Sequence, residues 1–311
     1  MIADIGATST RCAVCRNGNK HIGELQIFRN DQFDSLDALL GSYLSSSGTK
    51  PAAGALAIAA PVDGDELQMT NRSWNFNRLE LAERLGLEDL QIINDFHAVA
   101  YALPKLPQRD LVEIGKASAY REGSRATLGP GSGLGVGAWI LENSKGQGKH
   151  KGIAMFGEGG HVTLSARDET EDRIIAKIRE RYGHASAERV LSGPGIIALH
   201  SAMHGDEMKT SLEITKGTVD RKCRATMEQF YRFLASVAAD LAMTTSAYGG
   251  VYIAGGIVPD NIEQIKASMF RERFEDKNRY RPYMQAIPTY VITDPTPGLT
   301  GLVAFIADRG T

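Results

Sequence analysis

A strand, a glycine-containing turn and a second strand open this chain, and the same arrangement begins again about 120 residues later. Residues 1–6 are a short apolar run and residues 11–16 alternate in polarity. Asn17-Gly18 is a strong hairpin signal ahead of a further strand at 24–28. Three antiparallel strands are therefore expected at the start. In the second half, residues 126–128 lead into GPGSGLGVG at 129–137, and a strand resumes over 136–141, again a hairpin around a glycine turn. Repetition on this scale predicts a duplicated α/β unit.

The segments between the hairpins supply helices and further strands. Leu36, Leu39, Leu40 and Tyr43 recur at helical spacing behind Asp34 or Ser35 as cap. Residues 54–60 form an apolar strand that Pro61 stops. Asn77 with Glu80 has the spacing of a capping box for a helix closed by Gly86. Beyond the second hairpin, Ile174, Ile175, Ile178 and Tyr182 mark one helix and residues 225–248 a longer one. A strand at 251–254 runs into Gly255-Gly256. A last strand at 290–293 precedes a C-terminal helix around 299–308. The pattern changes near residues 104–110, with no low-complexity linker.

With 311 residues, 42% hydrophobic and 23% charged, the chain has the composition of a globular protein of one large or two ordinary domains. Lys plus Arg number 35 against 37 Asp plus Glu, and a net charge of -2 gives no electrostatic reason to expect nucleic acid or an anionic membrane as partner. A small-molecule partner fits better. Three cysteines argue for a reducing compartment and against a disulfide framework. The opening MIADIGATST has no basic stretch followed by an apolar one, so no signal peptide is expected. The apolar segment 230–248 carries Arg232 and Asp240 and reads as a buried helix. The expected location is the cytoplasm.

Several motifs bear on chemistry. DIGATSTR at 4–11 and the 129–137 loop each join two strands and carry hydroxyls, with Thr8, Ser9, Thr10 and Ser132 as donors beside backbone N–H groups that glycine lets approach an oxyanion. Each is read either as a phosphate loop or as an ordinary tight turn; neither has Walker spacing. Asp4 is placed to hold Mg²⁺ through water. AGGIVPDN at 254–261 offers a flat backbone for adenine and ribose, or a closely packed helix start. GEGGHVTL at 157–164 sets Glu158 and His161 among glycines, where carboxylate and imidazole can meet the hydroxyls of one sugar. Glu188, before another Gly-Pro-Gly turn, is by itself a surface carboxylate.

The sharpest feature is LQIINDFHAVAYALP at 90–104, in which Asn94 and Asp95 interrupt an apolar run. A carboxylate at the end of an apolar strand is costly to bury unless paired, so Asp95 is a catalytic base or part of a hydrogen-bonded network. Ligands collect at strand ends in open α/β sheets. Cys12 and Cys15 form a C-x-x-C on a strand, where positions three apart project to opposite faces and do not chelate one ion. No metal site built from protein side chains is expected, and the cysteines are read as small apolar residues.

DIGATSTR, INDF, GPGSGLGVG, FGEGGH with AERVLSGPG, and YIAGGIVPDN, in this order, resemble the motifs of bacterial ATP-dependent glucokinases. The similarity extends through PGLTG at 297–301 and includes LAIAAPVDGDELQMTNRSWNF at 56–76. The resemblance implies an α/β fold of two domains, each with a mixed sheet, in the actin-like, ribonuclease H-like ATPase superfold, with the active site in the interdomain cleft. The implied domains are residues 1–105 with 298–311, and residues 106–297. It implies Asp95 as the base for the 6-hydroxyl of glucose, Asn94 as a sugar ligand, and Glu158, His161 and Glu188 as ligands of the other hydroxyls. Asp4, Gly6, Ala7, Thr8 and Ser9, with Gly131, Ser132 and Gly133, correspond to the two phosphate loops, and Gly255 and Gly256 to the adenosine segment. ATP and Mg²⁺ are the implied nucleotide and metal, and a homodimer the implied assembly.

Two departures bear on these expectations. Where the family usually has Gly-Gly-Thr-Asn, this chain has Gly6-Ala7-Thr8-Ser9; Ala7 disfavours positive φ and Ser9 reaches less far than Asn, which bears on ATP affinity. The cysteine-rich zinc motif of the related ROK sugar kinases and repressors is absent. A sugar-sensing regulator or an actin-like assembly protein is the rival reading. Against it stand a start directly on the first strand and the set Glu158, His161 and Glu188, which a filament former has no use for. A kinase for another hexose or an N-acetylated sugar stays open.

Overall fold

The computed structural model describes residues 1–15, 22–70, 72–142, 151–205 and 209–309. The hairpin signal at Asn17-Gly18 lies outside them. The chain divides into two units, Met1–Pro107 with Asp294–Thr311, and Gln108–Thr293.

The first unit is built on a five-stranded sheet. Strands β1 (Ile2–Ile5), β2 (Ser9–Cys15) and β3 (Ile22–Arg29) are the antiparallel trio expected from the sequence, and β4 (Ala53–Ile58) continues the sheet parallel to β1. A small hairpin of β5 (Glu66–Gln68) and β6 (Asn75–Asn77) stands apart, and β7 (Asp89–Asn94) pairs parallel to β4, giving the order β3-β2-β1-β4-β7. Helices α1 (Leu36–Ser47) and α2 (Arg78–Leu85) begin where the capping residues said they would. The Ser35 hydroxyl accepts the N–H of Ala38, and Asn77 accepts those of Leu79 and Glu80. Gly86 closes α2 in the left-handed conformation, while the Glu80 carboxylate takes Arg84.

Both faces of this sheet are covered. Leu36, Leu39, Leu40 and Tyr43 of α1 pack with Ile5, Cys12, Leu56 and Ile58 on one side. On the other, Ile2, Ala13, Ala55 and Ala57 pack with α3 (Asp95–Ala102) and the C-terminal helix Pro297–Arg309. Cys12 belongs to the first layer and Cys15 packs against the second, so the C-x-x-C pair is split across the sheet.

The second unit repeats this topology. Strands β9 (Arg125–Pro130), β10 (Leu134–Leu141) and β11 (Gly152–Gly157) are antiparallel neighbours; β12 (Val251–Ile253) and β13 (Thr289–Ile292) follow β9 in parallel. The short β8 (Leu111–Glu113) adds an antiparallel edge, so the order is β11-β10-β9-β12-β13-β8. Leaving out β8, both sheets place their five strands in the same order with the same directions, and the repeat seen in the sequence is a repeat of topology. Helices α4 (Glu169–Tyr182), α5 (Gly193–His204), α6 (Ser211–Lys216) and α7 (Arg221–Thr245) surround it. Most of the apolar segment 230–248 is the buried stripe of α7, with Phe230, Phe233, Leu234, Ala238 and Ala242 in the core. None of the described helices is long and apolar enough to cross a membrane.

Candidate active site

In the first unit, the parallel strands β1, β4 and β7 end in register, Ile5 beside Ile58 and Ile58 beside Asn94. The turn after β1 and the Asn94-Asp95 pair therefore leave the same edge of the sheet, two strand spacings or about 10 Å apart. Asp95 is the first residue of α3. The amide of Asn94 caps that helix, its Oδ1 accepting the N–H groups of Phe96 (2.9 Å) and His97 (3.2 Å) and its Nδ2 donating to the Ala60 carbonyl (3.3 Å). The half-buried Asp95 carboxylate accepts the Phe96 N–H at 2.9 Å and sits at the positive end of the helix. An apolar run broken by Asn-Asp is thus a strand passing directly into a helix, with Asn94 spending much of its hydrogen-bonding capacity on the junction.

The first glycine turn is braced by a residue that sequence reasoning missed. Asn30 is fully buried; its Nδ2 donates to the Gly6 carbonyl (2.9 Å), its Oδ1 accepts the Thr10 hydroxyl (2.8 Å), and its N–H reaches the Thr8 carbonyl (3.0 Å). The Gly6 N–H closes the turn on the Ser9 carbonyl at 3.1 Å. Neither Gly6 nor Ala7 has positive φ. Ala7 therefore carries none of the backbone strain that a positive φ would bring, and the shorter reach of Ser9 is the departure that still bears on ATP affinity. Asn30→Ala strands buried groups around the turn, which costs about 1–3 kcal/mol; we expect a lower urea midpoint and a KM for ATP raised more than that for glucose.

Asp4, opposite Arg11 in the β1–β2 register, lies 4.0 Å from the Arg11 guanidinium. Gly298, in the first turn of the C-terminal helix, comes so close that a Cβ there would meet the carboxylate at 2.8 Å. Burial pushes the Asp4 carboxyl above its usual range, and Arg11 opposes the shift. An acid with a raised folded pKa favours the fold below its unfolded pKa and loses that contribution as pH rises through the folded one. Asp4→Asn should consequently melt higher than the parent at pH 7 without nucleotide, and the gain should vanish in acid.

In the second unit the residues Glu158, His161 and Glu188 come together. His161 Nε2 is 3.8 Å from Glu158 Oε2, and its Nδ1 is 4.0 Å from Glu188 Oε1. The loop that carries the first two is pressed onto β10, since a Cβ on Gly160 would fall 2.2 Å from the Leu134 carbonyl oxygen; only glycine fits. Glu188 has a second engagement. Its Oε2 accepts the Leu134 N–H at 2.9 Å and lies over Gly133, where a Cβ would stand 2.6 Å away. Read in isolation Glu188 was a surface carboxylate; its side chain is 30% exposed and locked to the glycine turn.

That turn, Gly131-Ser132-Gly133, leaves β9 and is closed by the Gly131 N–H on the Gly133 carbonyl (2.8 Å). The Gly193 N–H, at the start of α5, donates to the Gly131 carbonyl (2.8 Å), and Ser192 caps α5. Gly255 has φ +81° and approaches the Pro130 carbonyl oxygen to within 2.3 Å of where a Cβ would be, so its glycine is demanded by packing and by backbone alike. Around Gly256 nothing lies within 4 Å of a Cβ position, which leaves its face open. Two glycine turns, at the ends of the neighbouring parallel strands β9 and β12, thus flank one edge of this sheet, where nucleotides bind in α/β proteins. Among the described residues, no group of three or more His, Cys, Asp or Glu side chains could hold a metal.

Solved structures share this architecture. A glucokinase from an Antarctic psychrotroph superimposes with a TM-score of 0.84 at 30% identity, covering 99% of this chain and 98% of its own. A Balamuthia mandrillaris glucokinase, solved in complex with glucose, has the same fold at 20% identity (TM-score 0.77; 99% and 92% covered). With the actin-like ATPase fold and relatives of this kind, the chain is a hexose kinase. The glucokinase family model matches residues 1–309, and the glucokinase of Yersinia enterocolitica is 37% identical over 99% of this chain and 96% of its own length. The chain belongs to the glucokinase family.

Proposed function

We propose that this protein transfers the γ-phosphoryl of ATP to the 6-hydroxyl of glucose, with Asp95 as base and with Glu158, His161 and Glu188 as the sugar clamp. The observation that carries this division of labour is the clustering of Glu158 and His161, on a loop packed through Gly160 against β10, with Glu188 from a separate segment. Carboxylates accept from sugar hydroxyls and imidazole donates or accepts, so three such groups fix the ring in one orientation. Asn94 offers the sugar what its amide retains beyond the helix cap.

Asp95 accepts the proton of the primary hydroxyl as that oxygen attacks phosphorus in line, and ADP departs. The N–H groups and hydroxyls of residues 6–9 and 131–133 receive the phosphates, and residues 255–256 the adenosine. A half-buried carboxylate 4.0 Å from the Arg11 guanidinium suits a hydrated Mg²⁺, which binds one or two carboxylates plus substrate phosphates rather than a full protein cage. Asp4 would hold that ion, which supplies charge neutralisation on the phosphates. Three cysteines that form no disulfide fit the reducing cytoplasm, and the assembly is a homodimer.

The test is ADP release with glucose, mannose, fructose, N-acetylglucosamine and N-acetylmannosamine, with ATP and polyphosphate as donors. Glucose with ATP should give the highest kcat/KM. A flat response to every sugar would overturn the kinase reading, and a preference for an N-acetylated sugar would overturn glucose.

A further inference from the structure

The segment that leaves the sugar loop runs antiparallel to the one that leads into the Glu188 turn. Thr163 bridges Ser186, flanked by the Ala187 N–H on the Val162 carbonyl (3.0 Å) and the Leu164 N–H on the Ala185 carbonyl (2.9 Å). Antiparallel partners keep a constant sum of residue numbers, so two residues on from Thr163 and Ser186 the register sets His161 opposite Glu188. Those are the side chains whose Nδ1 and Oε1 lie 4.0 Å apart. Their approach is thus the continuation of a short ladder, which ends there in two 3-10 turns at 159–161 and 187–189.

So short a ladder is marginal by itself, and its two sides are unequally secured. On one side Ala185, Ser186 and Ala187 are buried, the Ser192 hydroxyl donates to the Glu188 carbonyl at 2.9 Å, and the Glu188 carboxylate holds the Leu134 N–H. On the other, Val162 is 54% exposed and Thr163 is exposed with it. Thr163 has one further tie. Its Oγ1 stands 2.9 Å from Nε2 of His184, its diagonal neighbour across the ladder. A hydroxyl both donates and accepts, so this bond forms with either tautomer of the ring. We infer that Thr163 and His184 act as a latch that sets the distance between His161 and Glu188, which makes His184 a positioning residue for glucose from outside the sugar clamp. The inference rests on the sugar-clamp reading. Without the latch the exposed segment relaxes away from the secured one, and His161, two residues along it, moves too. Asp95 and the turn at residues 6–9 stand in the first unit, so glucose binding weakens while transfer from bound ATP to bound sugar continues.

Steady-state kinetics of the full chain tests the latch. Thr163→Val and His184→Ala should each raise KM for glucose about two- to fivefold, the lower part of what one hydrogen bond contributes, with kcat, KM for ATP and melting close to those of the parent. The double variant should be no worse than either single one, because both remove the same bond. His184→Gln, whose amide nitrogen reaches the place of Nε2, should return KM towards the parent value. An unchanged KM for glucose in both single variants, an equal rise in KM for ATP, or additive effects in the double variant would each overturn the latch. His161→Ala separates this from failure of the sugar clamp. A parent-like KM for glucose there would remove clamp and latch together, whereas a raised one, beside parent-like values in the Thr163 and His184 variants, would overturn the latch alone.

Discussion

Asp95→Asn should leave the fold and glucose affinity close to those of the parent while kcat falls by about 10²–10⁴-fold, the usual contribution of a positioned base. The substitution is isosteric, and the amide oxygen still accepts the Phe96 N–H that the carboxylate takes at 2.9 Å. Loss of the negative charge at the start of α3 costs about 0.3–1 kcal/mol, too little to unfold a protein of this size. What disappears is a group able to take the hydroxyl proton as phosphorus is attacked. Calorimetric glucose binding and coupled ADP release together make the check, and near-normal turnover would remove Asp95 from the mechanism.

Gly301→Ala should destabilise the protein by about 2 kcal/mol, although alanine is the better helix former by about 1 kcal/mol. The C-terminal helix crosses α3 so closely that a Cβ at position 301 would fall 1.7 Å from the Ala98 carbonyl oxygen. Rigid backbone stands on both sides, and α3 must shift along with Asp95 at its head. Activity should therefore fall beyond what the unfolded fraction explains. Gly41→Ala, in α1 with nothing within 4 Å of the new methyl, is the control and should stabilise. Urea midpoints for the two variants distinguish them; a Gly301→Ala protein as stable as the parent would show that the helices separate freely.

Much of the fold was legible because its signals are local. Ser35, Asn77 and Gly86 mark helix ends by their own side-chain or backbone chemistry, and the paired hairpins announced the duplicated sheet. Asp95 stood out because polarity interrupts an apolar period. Long-range bracing gave no such signal. Asn30 follows a strand in a polar stretch, and only the three-dimensional structure shows it buried beneath the turn 24 residues earlier. Gly298 and Gly301 look like helix-weakening residues until the approach of Asp4 and Ala98 is seen. At the first glycine turn the pattern alone did not show the backbone conformation: neither Gly6 nor Ala7 has positive φ, so alanine is accommodated there without strain of that kind.

Glu188 touches both halves of the second unit's chemistry, His161 through one oxygen and the amide of the glycine turn through the other. Under the proposed roles, a sugar bound to this carboxylate would change its hold on the Leu134 N–H, and a triphosphate received by the turn would change the carboxylate offered to the sugar. Linkage makes the two effects equal in free energy. Each substrate should therefore alter the other's dissociation constant by the same factor, and Glu188→Gln should bring that factor towards one.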